Sequence, residues 1–145
     1  MANPDANATA TPREVFDRLL RGITQGSPDT LGDLYAEDAV VELPFARPAP
    51  QRIEGREQLA ARFQGAGAIP LEFEARNVVV HQTTDPEVIV AEFDYVGRAT
   101  TTGRPLHVTN IQVLRVRDGK IVASRDFHDH LAIADALGTP VDRLP

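Results

Sequence analysis

Two ionisable side chains near the C-terminal end of the sequence have the types and the spacing needed for proton transfer. Asp126 and His128 lie two residues apart in a strand-like segment that follows the hairpin signal Asp118-Gly119. Alternate side chains of an extended strand share a face, so both should point the same way. Imidazole titrates at about pH 6.5, and burial raises the pKa of a carboxyl group toward that range. The pair therefore predicts general acid/base chemistry.

The two preceding strand-like segments carry further polar pairs at the same spacing. Glu92 and Asp94 belong to one of them, and Asn110 and Gln112 to the next. If the three strands pair in a curved sheet, these side chains and Asp126 converge in one apolar cup. One of the three carboxyl groups would then keep a proton near neutral pH and act as an acid beside a base. The amides would donate hydrogen bonds to a carbonyl or enolate oxygen. The expected apolar wall of the cup consists of Val41, Leu43, Val90, Val108, Phe16, Phe63 and Tyr35.

A metal site is an alternative use of the same side chains. His128, Asp126 and Glu92 form an acceptable ligand set for iron or manganese, although their spacing matches no known metal signature. The chain has no cysteine, which excludes disulfides, thiolate nucleophiles and cysteine metal sites. It also lacks the glycine-rich nucleotide-binding motifs and the serine nucleophile elbow. We therefore expect acid/base chemistry without a metal or a cofactor.

Helical signals occupy the first half of the chain. Thr11, Pro12 and Glu14 have the residue types of a capping box with proline at the first helical position. The next residues repeat apolar side chains at helical spacing, so a helix is predicted to start here. The further elements predicted in this half are a second helix from Ser27-Pro28, a strand at 38–45 and a third helix at 57–64.

Long strands dominate the second half. The predicted strands are 71–82, 88–96, 106–116 and 121–130, and a short helix at 131–137 follows them. Helices first and an antiparallel meander later predict an α+β architecture, in which the helices cover one face of the sheet. We expect a single domain at 11–138, between a disordered tail at 1–10 and a C-terminal tail at 139–145.

The strand at 88–96 is apolar on both faces. Opposite Glu92 and Asp94 it carries Ile89, Ala91 and Phe93, followed by Tyr95. A strand that is exposed on one face would alternate with polar residues, so both faces should be covered. The helices are needed on the face of the cup. The other face is therefore predicted to bind a second copy of the chain, in a homodimer formed through the outer face of the sheet.

Charge and the N-terminal sequence narrow the class of partner. The formal net charge is -6, which disfavours nucleic acid and anionic membranes as partners, because both bind basic patches. The first ten residues lack the basic and apolar regions of a signal peptide, and no apolar run approaches the length of a membrane span. A cytoplasmic protein that binds a hydrophobic small molecule is the expectation.

Three local motifs resemble one superfamily. They are LYAEDAVVE at 34–42, IEGRE at 53–57, and DGKI at 118–121 with the following RDFHD at 125–129. Together they resemble the nuclear transport factor 2-like superfamily, in its branch of SnoaL-like polyketide cyclases, ketosteroid isomerases and limonene epoxide hydrolase. The resemblance spans roughly 12 to 131. It implies a cone-shaped, curved, mostly antiparallel sheet that encloses a pocket and is covered by three N-terminal helices.

The catalytic sets of these relatives are matched only in part. The base, tyrosine and acid of ketosteroid isomerase fall on Leu43, Leu19 and Gln112, so that isomerase route is not expected. The two aspartates of limonene epoxide hydrolase match Asp94 and Asp126. The arginine position of that hydrolase holds Glu92, and its water-holding tyrosine and asparagine fall on Val41 and Leu43. The acid/base aspartate of SnoaL-like cyclases matches Asp126.

These observations lead to one preferred function and two alternatives. The preferred function is a small enzyme that performs cofactor-free general acid/base chemistry of isomerase, cyclase or hydrolase type. Its substrate would be a hydrophobic metabolite with a carbonyl group or an epoxide. A non-catalytic protein that binds such a ligand in the same cup is the first alternative. A protein–protein module, as in nuclear transport factor 2 itself, is disfavoured because it would leave the inward polar residues without a purpose.

Overall fold

The computed structural model describes residues 9–26 and 28–144. The helices are α1 (Pro12–Thr24), α2 (Pro28–Leu31), α3 (Arg56–Ala66) and α4 (His130–Leu137), with 3-10 turns at Gly32–Leu34 and Val141–Arg143. The strands are β1 (Tyr35–Leu43), β2 (Gln51–Glu54), β3 (Leu71–Gln82), β4 (Val88–Ala99), β5 (Pro105–Arg117) and β6 (Lys120–His128). Of the disordered tail predicted at 1–10, residues 1–8 lie outside the described part of the chain.

The six strands form one curved sheet in the order β2-β1-β6-β5-β4-β3. Neighbouring strands are antiparallel except for the parallel pair of β1 and β6. The helices cover the concave face, and the α+β cone expected from the sequence is confirmed. None of the helices in the described ranges is both long and apolar enough to cross a membrane.

Helix α1 begins as its sequence predicts. The Thr11 backbone N–H donates to the side chain of Glu14 at 3.1 Å, and the Glu14 N–H donates to the Thr11 hydroxyl at 3.2 Å. This capping box satisfies two N–H groups that the first helical turn leaves without partners. The apolar stripe of the helix, which includes Val15, Phe16 and Leu19, is buried against the sheet.

One strand of the sheet was not predicted. Strand β2 has only four residues, follows the proline-rich loop, and pairs with β1 at the edge of the sheet. Only Ile53 among its residues is buried. A run this short, with a single inward side chain, carries no alternation that sequence reasoning can detect.

The facing of strand β4 differs from the expectation. Ile89, Ala91 and Phe93 are buried at 1%, 0% and 3% exposure, whereas Glu92 and Asp94 lie on the outer face. The prediction that the carboxylates of β4 enter the cup is therefore wrong, and so is the placement of Ile89, Ala91 and Phe93 on the outer face. The physical reason is burial: the face with the larger apolar surface gains more by leaving water, and the carboxylates stay hydrated.

Candidate functional site

A cavity of about 610 Å³ lies between the helices and the concave face of the sheet. Phe16 of α1 and Phe63 of α3 line its helical side, and Val108 of β5 lines its sheet side. All three belong to the apolar wall expected from the sequence. This volume is within the range of small-molecule sites, which span about 300–1,000 Å³. Three polar side chains, Asn110, Gln112 and His128, reach the cavity from adjacent strands.

His128 has a defined tautomer because of its neighbour Asn110. The Asn110 Nδ2 donates to the carbonyl oxygens of Phe93 at 3.3 Å and Val108 at 3.2 Å, so its Oδ1 is the acceptor that faces the ring. The Nδ1 of His128 lies 2.7 Å from this Oδ1 and therefore carries the proton. In the neutral imidazole, Nε2 is then the basic atom. Both amide hydrogens of Asn110 are bonded to these carbonyl oxygens, so Asn110 orients His128. The expectation that Asn110 donates a hydrogen bond to a ligand is therefore wrong.

A second polar pair links the next position along both strands. The Gln112 Nε2 donates to Asp126 Oδ1 at 2.9 Å, and the Ser124 hydroxyl donates to the same oxygen. Asp126 lies behind Gln112, since Gln112 lines the cavity and Asp126 does not. Gln112 keeps a second N–H and its carbonyl oxygen for a ligand, because the described residues bond only one of its amide hydrogens.

Burial and the charges around His128 favour a neutral imidazole at pH 7. Burial lowers the pKa of His128, the Asp126 carboxylate partly offsets this, and the Arg62 guanidinium lowers the pKa further. A buried base with a pKa below its ordinary value is unprotonated and available near neutrality. The Asp126 charge favours the protonated form of His128, which makes the imidazole a stronger base than burial alone would allow.

The cavity has an aromatic lining that the sequence prediction missed. Phe73, Phe93 and Tyr95 line it from β3 and β4, with ring centroids 4.5 Å apart for Phe73–Tyr95 and 5.4 Å for Phe93–Tyr95. Burial, and then the charge of Asp126, raise the pKa of the Tyr95 phenol, which stays protonated. The signal was available, because Tyr95 continues the apolar alternation of Ile89, Ala91 and Phe93, but that face was assigned to the dimer.

The predicted site residues of β4 lie elsewhere. Asp94 Oδ2 accepts from Asn77 Nδ2 at 2.9 Å and pairs with His107 Nε2 at 3.2 Å, and these hydrogen bonds lower the pKa of the Asp94 carboxyl. Glu92 pairs with His81 on the same outer face. Neither carboxylate lines the cavity, and Asp126 contacts it only through Gln112, so the three carboxylates do not converge in one cup as expected. The alternative metal set is also divided, because Glu92 and His128 lie on opposite faces of the sheet.

The remaining wall residues divide between core and surface. Val41, Leu43 and Tyr35 are buried in β1 but do not line the cavity, so they support the sheet beneath it. Val90 alternates with the buried residues of β4 and belongs to the outer face. The helical wall instead continues through Leu19, a buried residue of the apolar stripe of α1.

Comparisons with known proteins agree with this geometry. Residues 16–124 match the model of the SnoaL-like domain. An uncharacterized PhzA/B-like protein of Pseudomonas aeruginosa is 35% identical over 129 residues, which cover 87% of this chain and 89% of that protein. The described fold is similar to the crystal structure of a Bacillus subtilis protein provisionally described as an isomerase, with a TM-score of 0.83, 24% identity, and coverage of 98% of this chain and 100% of that one.

A further structural relative is IdmH of Streptomyces antibioticus, provisionally described as a polyketide cyclase. It has a TM-score of 0.67 and 26% identity, and the match covers 90% of this chain and 100% of that one. The family model, the relative of similar length and the shared cone fold all point the same way. The chain belongs to the SnoaL-like domain family, as its sequence motifs predicted.

Proposed function

We propose that this protein catalyses proton transfer on a hydrophobic carbonyl compound bound in the cavity, without a cofactor. The observation that carries the proposal is the hydrogen bond by which Asn110 holds the Nδ1–H of His128 beside an apolar cavity. A positioned imidazole with its pKa below the working pH is a general base. The isomerase and cyclase descriptions given to structural relatives belong to the same class of chemistry.

The side chains have distinct roles in such a reaction. His128 Nε2 takes a proton from the carbon next to the carbonyl group, and the electron pair of that C–H bond moves to leave a negative charge on the carbonyl oxygen. The free N–H of Gln112 donates to that enolate oxygen. Asp126 stabilises the imidazolium through its charge. Return of the proton to a different carbon isomerises the substrate, whereas attack of the enolate on a second carbonyl group closes a ring.

Deuterium exchange tests this proposal without knowledge of the natural substrate. The protein is incubated in D2O with a panel of bicyclic and tricyclic ketones that includes methyl 2-naphthyl ketone. Mass spectrometry then measures the deuterium incorporated at the carbon next to the carbonyl group. We expect exchange above the buffer rate, and slower exchange for Asp126→Asn. Asp94→Asn is the matched control, since it makes the same change on the outer face. Ketone binding without exchange across the panel would instead establish the alternative, a non-catalytic binding protein.

We also propose that the protein forms a homodimer through the outer face of the sheet. An outer patch, defined by Val79, Val90, Ile111, Val113 and Phe127, crosses four adjacent strands. Ile111 and Val79 are 40% and 48% exposed, which is unfavourable for apolar side chains of this size in water. The same face carries Glu92 beside Ile111 and Arg125 beside Val113. Under a two-fold axis, these opposite charges can pair between copies.

Replacement of Ile111 by lysine tests the dimer. It places a charge at the centre of the outer patch, so we expect the wild-type mass of two 15.8 kDa chains to fall to that of one. Light scattering after size-exclusion chromatography measures the change. Leu131→Lys is the matched control, because Leu131 is 69% exposed on α4, away from the outer patch. A monomeric wild type, or a dimeric Ile111→Lys variant, would contradict the proposal.

A further inference from the structure

The cavity offers no positive charge to a ligand. Among the described residues that line it, none is lysine or arginine, and its histidine, His128, is neutral at pH 7. The carboxylate of Glu72 borders the cavity and is exposed, where it pairs with Arg98 at 3.4 Å. A ligand anion that entered the cavity would therefore lose water without gaining a counter-charge.

Negative charge lies behind the inner end of the cavity. The Asp126 carboxylate accepts hydrogen bonds from Gln112 and Ser124, and no lysine or arginine in the described part of the chain forms an ion pair with it. The cation that acts on this region is Arg62, which is exposed on α3 and does not line the cavity. Charges interact strongly across a poorly solvated interior, so Asp126 repels a ligand that arrives near Gln112 as an anion. An enolate formed in the cavity differs, because the imidazolium of His128 forms with it and balances its charge.

The aromatic wall adds to this bias. Phe16 and Phe93 pack with ring centroids 5.5 Å apart, and Phe93 contacts Tyr95, which contacts Phe73. These four rings all border the cavity. Aromatic rings offer a largely apolar contact surface, which cannot replace the hydration that an anion loses on entry. Three features, the missing cation, the partly buried carboxylate and the apolar aromatic lining, thus act in the same direction.

We infer that the cavity selects uncharged aromatic or alicyclic carbonyl compounds and rejects their anionic counterparts, such as carboxylates and phosphate esters. The inference rests on the proposed function insofar as it takes this cavity to be the substrate site. It adds the charge of the substrate, which the chemistry of proton transfer does not determine. A substrate carrying a carboxylate must therefore be esterified, amidated or decarboxylated by an earlier reaction before it enters this cavity.

Two ligands of equal size test the selection. Methyl 2-naphthyl ketone and 2-naphthoate share the same ring system and differ in one group, which is uncharged in the first and anionic in the second. Isothermal titration calorimetry at pH 7.5 measures both dissociation constants. We expect the ketone to bind at least about tenfold more tightly, a ratio that corresponds to about 1.4 kcal/mol. Equal or tighter binding of 2-naphthoate, or no binding of either ligand, would overturn the inference.

A variant that adds a cation gives the reverse test. Gln25 lines the cavity at the C-terminal end of α1 and is exposed there, so Gln25→Lys supplies the missing counter-charge. We expect the affinity for 2-naphthoate to rise at least about threefold and the ratio between the ligands to narrow. Gln82→Lys makes the same change in net charge at the end of β3, remote from the lining residues, and should leave the ratio unchanged. An unchanged ratio in Gln25→Lys would contradict the inference.

Catalysis and charge selection fail in different ways. Preferred binding of the ketone without deuterium exchange would refute the proposed proton transfer and leave the charge selection standing. Deuterium exchange of the ketone together with tighter binding of 2-naphthoate would refute the charge selection and leave the proposed proton transfer standing. The binding experiment does not depend on turnover, so each result is assigned to one of the two proposals.

Discussion

Replacement of His128 by asparagine is expected to lower the rate of deuterium exchange by about 10²–10⁴-fold, the usual contribution of a general base. The asparagine amide can still donate to Asn110 Oδ1, as the Nδ1–H does now. Asparagine has no basic atom in place of Nε2. A lower exchange rate in this variant therefore measures the loss of proton transfer and not a change in the packing of the cavity wall. His81→Asn is the matched control, because His81 lies on the outer face beside Glu92. A His128→Asn variant that exchanges at the wild-type rate would eliminate His128 as the base.

The pH dependence of exchange connects this rate to the charges around the ring. Because burial and Arg62 lower the pKa of His128, the rate should stay constant down to about pH 6.5, the ordinary pKa of imidazole, and fall only below it. Asp126→Asn removes the charge that raises this pKa and should move the fall to lower pH. Arg62→Gln removes a charge that lowers the pKa of His128, so the rate should begin to fall at a higher pH than in the wild type. This shift should be smaller at high salt, which screens the charge of Arg62. Shifts in the same direction for both variants would contradict this assignment.

Most of the fold was predictable because local signals and the tertiary structure agree. The capping box at Thr11 and Glu14 and the hairpin at Asp118-Gly119 depend on residues close in sequence, and both occur as predicted. Asp118 and Gly119 have the positive φ angles, 52° and 75°, that a tight two-residue hairpin turn requires. The long strands β3 to β6 start within one residue of the predicted positions.

The candidate site was predictable on two strands and not on the third. On β5 the polar residues Asn110 and Gln112 alternate with exposed side chains, and hydrogen bonds to His128 and Asp126 join them to β6. On β4 both faces are apolar over half of the strand, so alternation alone gives two possible facings. A shift of one residue turns every side chain to the other face. The larger apolar area of the face with Phe93 and Tyr95 favours one of them, and the packing of Phe93 against Phe16 of α1, a contact distant in sequence, adds to it.

The substitution with the largest expected effect on stability is Gly97→Ala. Gly97 of β4 pairs with Phe73 of β3, and the two backbones approach so closely that a Cβ at Gly97 would overlap the carbonyl oxygen of Glu72 and lie 2.6 Å from the Phe73 Cα. Backbone atoms of a paired strand cannot rotate away as a side chain can, so β3 would have to separate from β4. We expect the free energy of unfolding to fall by at least about 3 kcal/mol, measured by urea denaturation.

The control for this substitution is Gly65→Ala in helix α3, where a Cβ meets nothing within 4 Å. Alanine loses less backbone entropy than glycine in a helix, so the same change should stabilise the fold by up to about 1 kcal/mol. The opposite signs separate steric overlap from the general effect of adding a methyl group. Because Phe73 lines the cavity, displacement of β3 should also weaken the binding of methyl 2-naphthyl ketone in any Gly97→Ala protein that folds. A Gly97→Ala variant with wild-type stability would contradict the close pairing of β3 and β4 at this position.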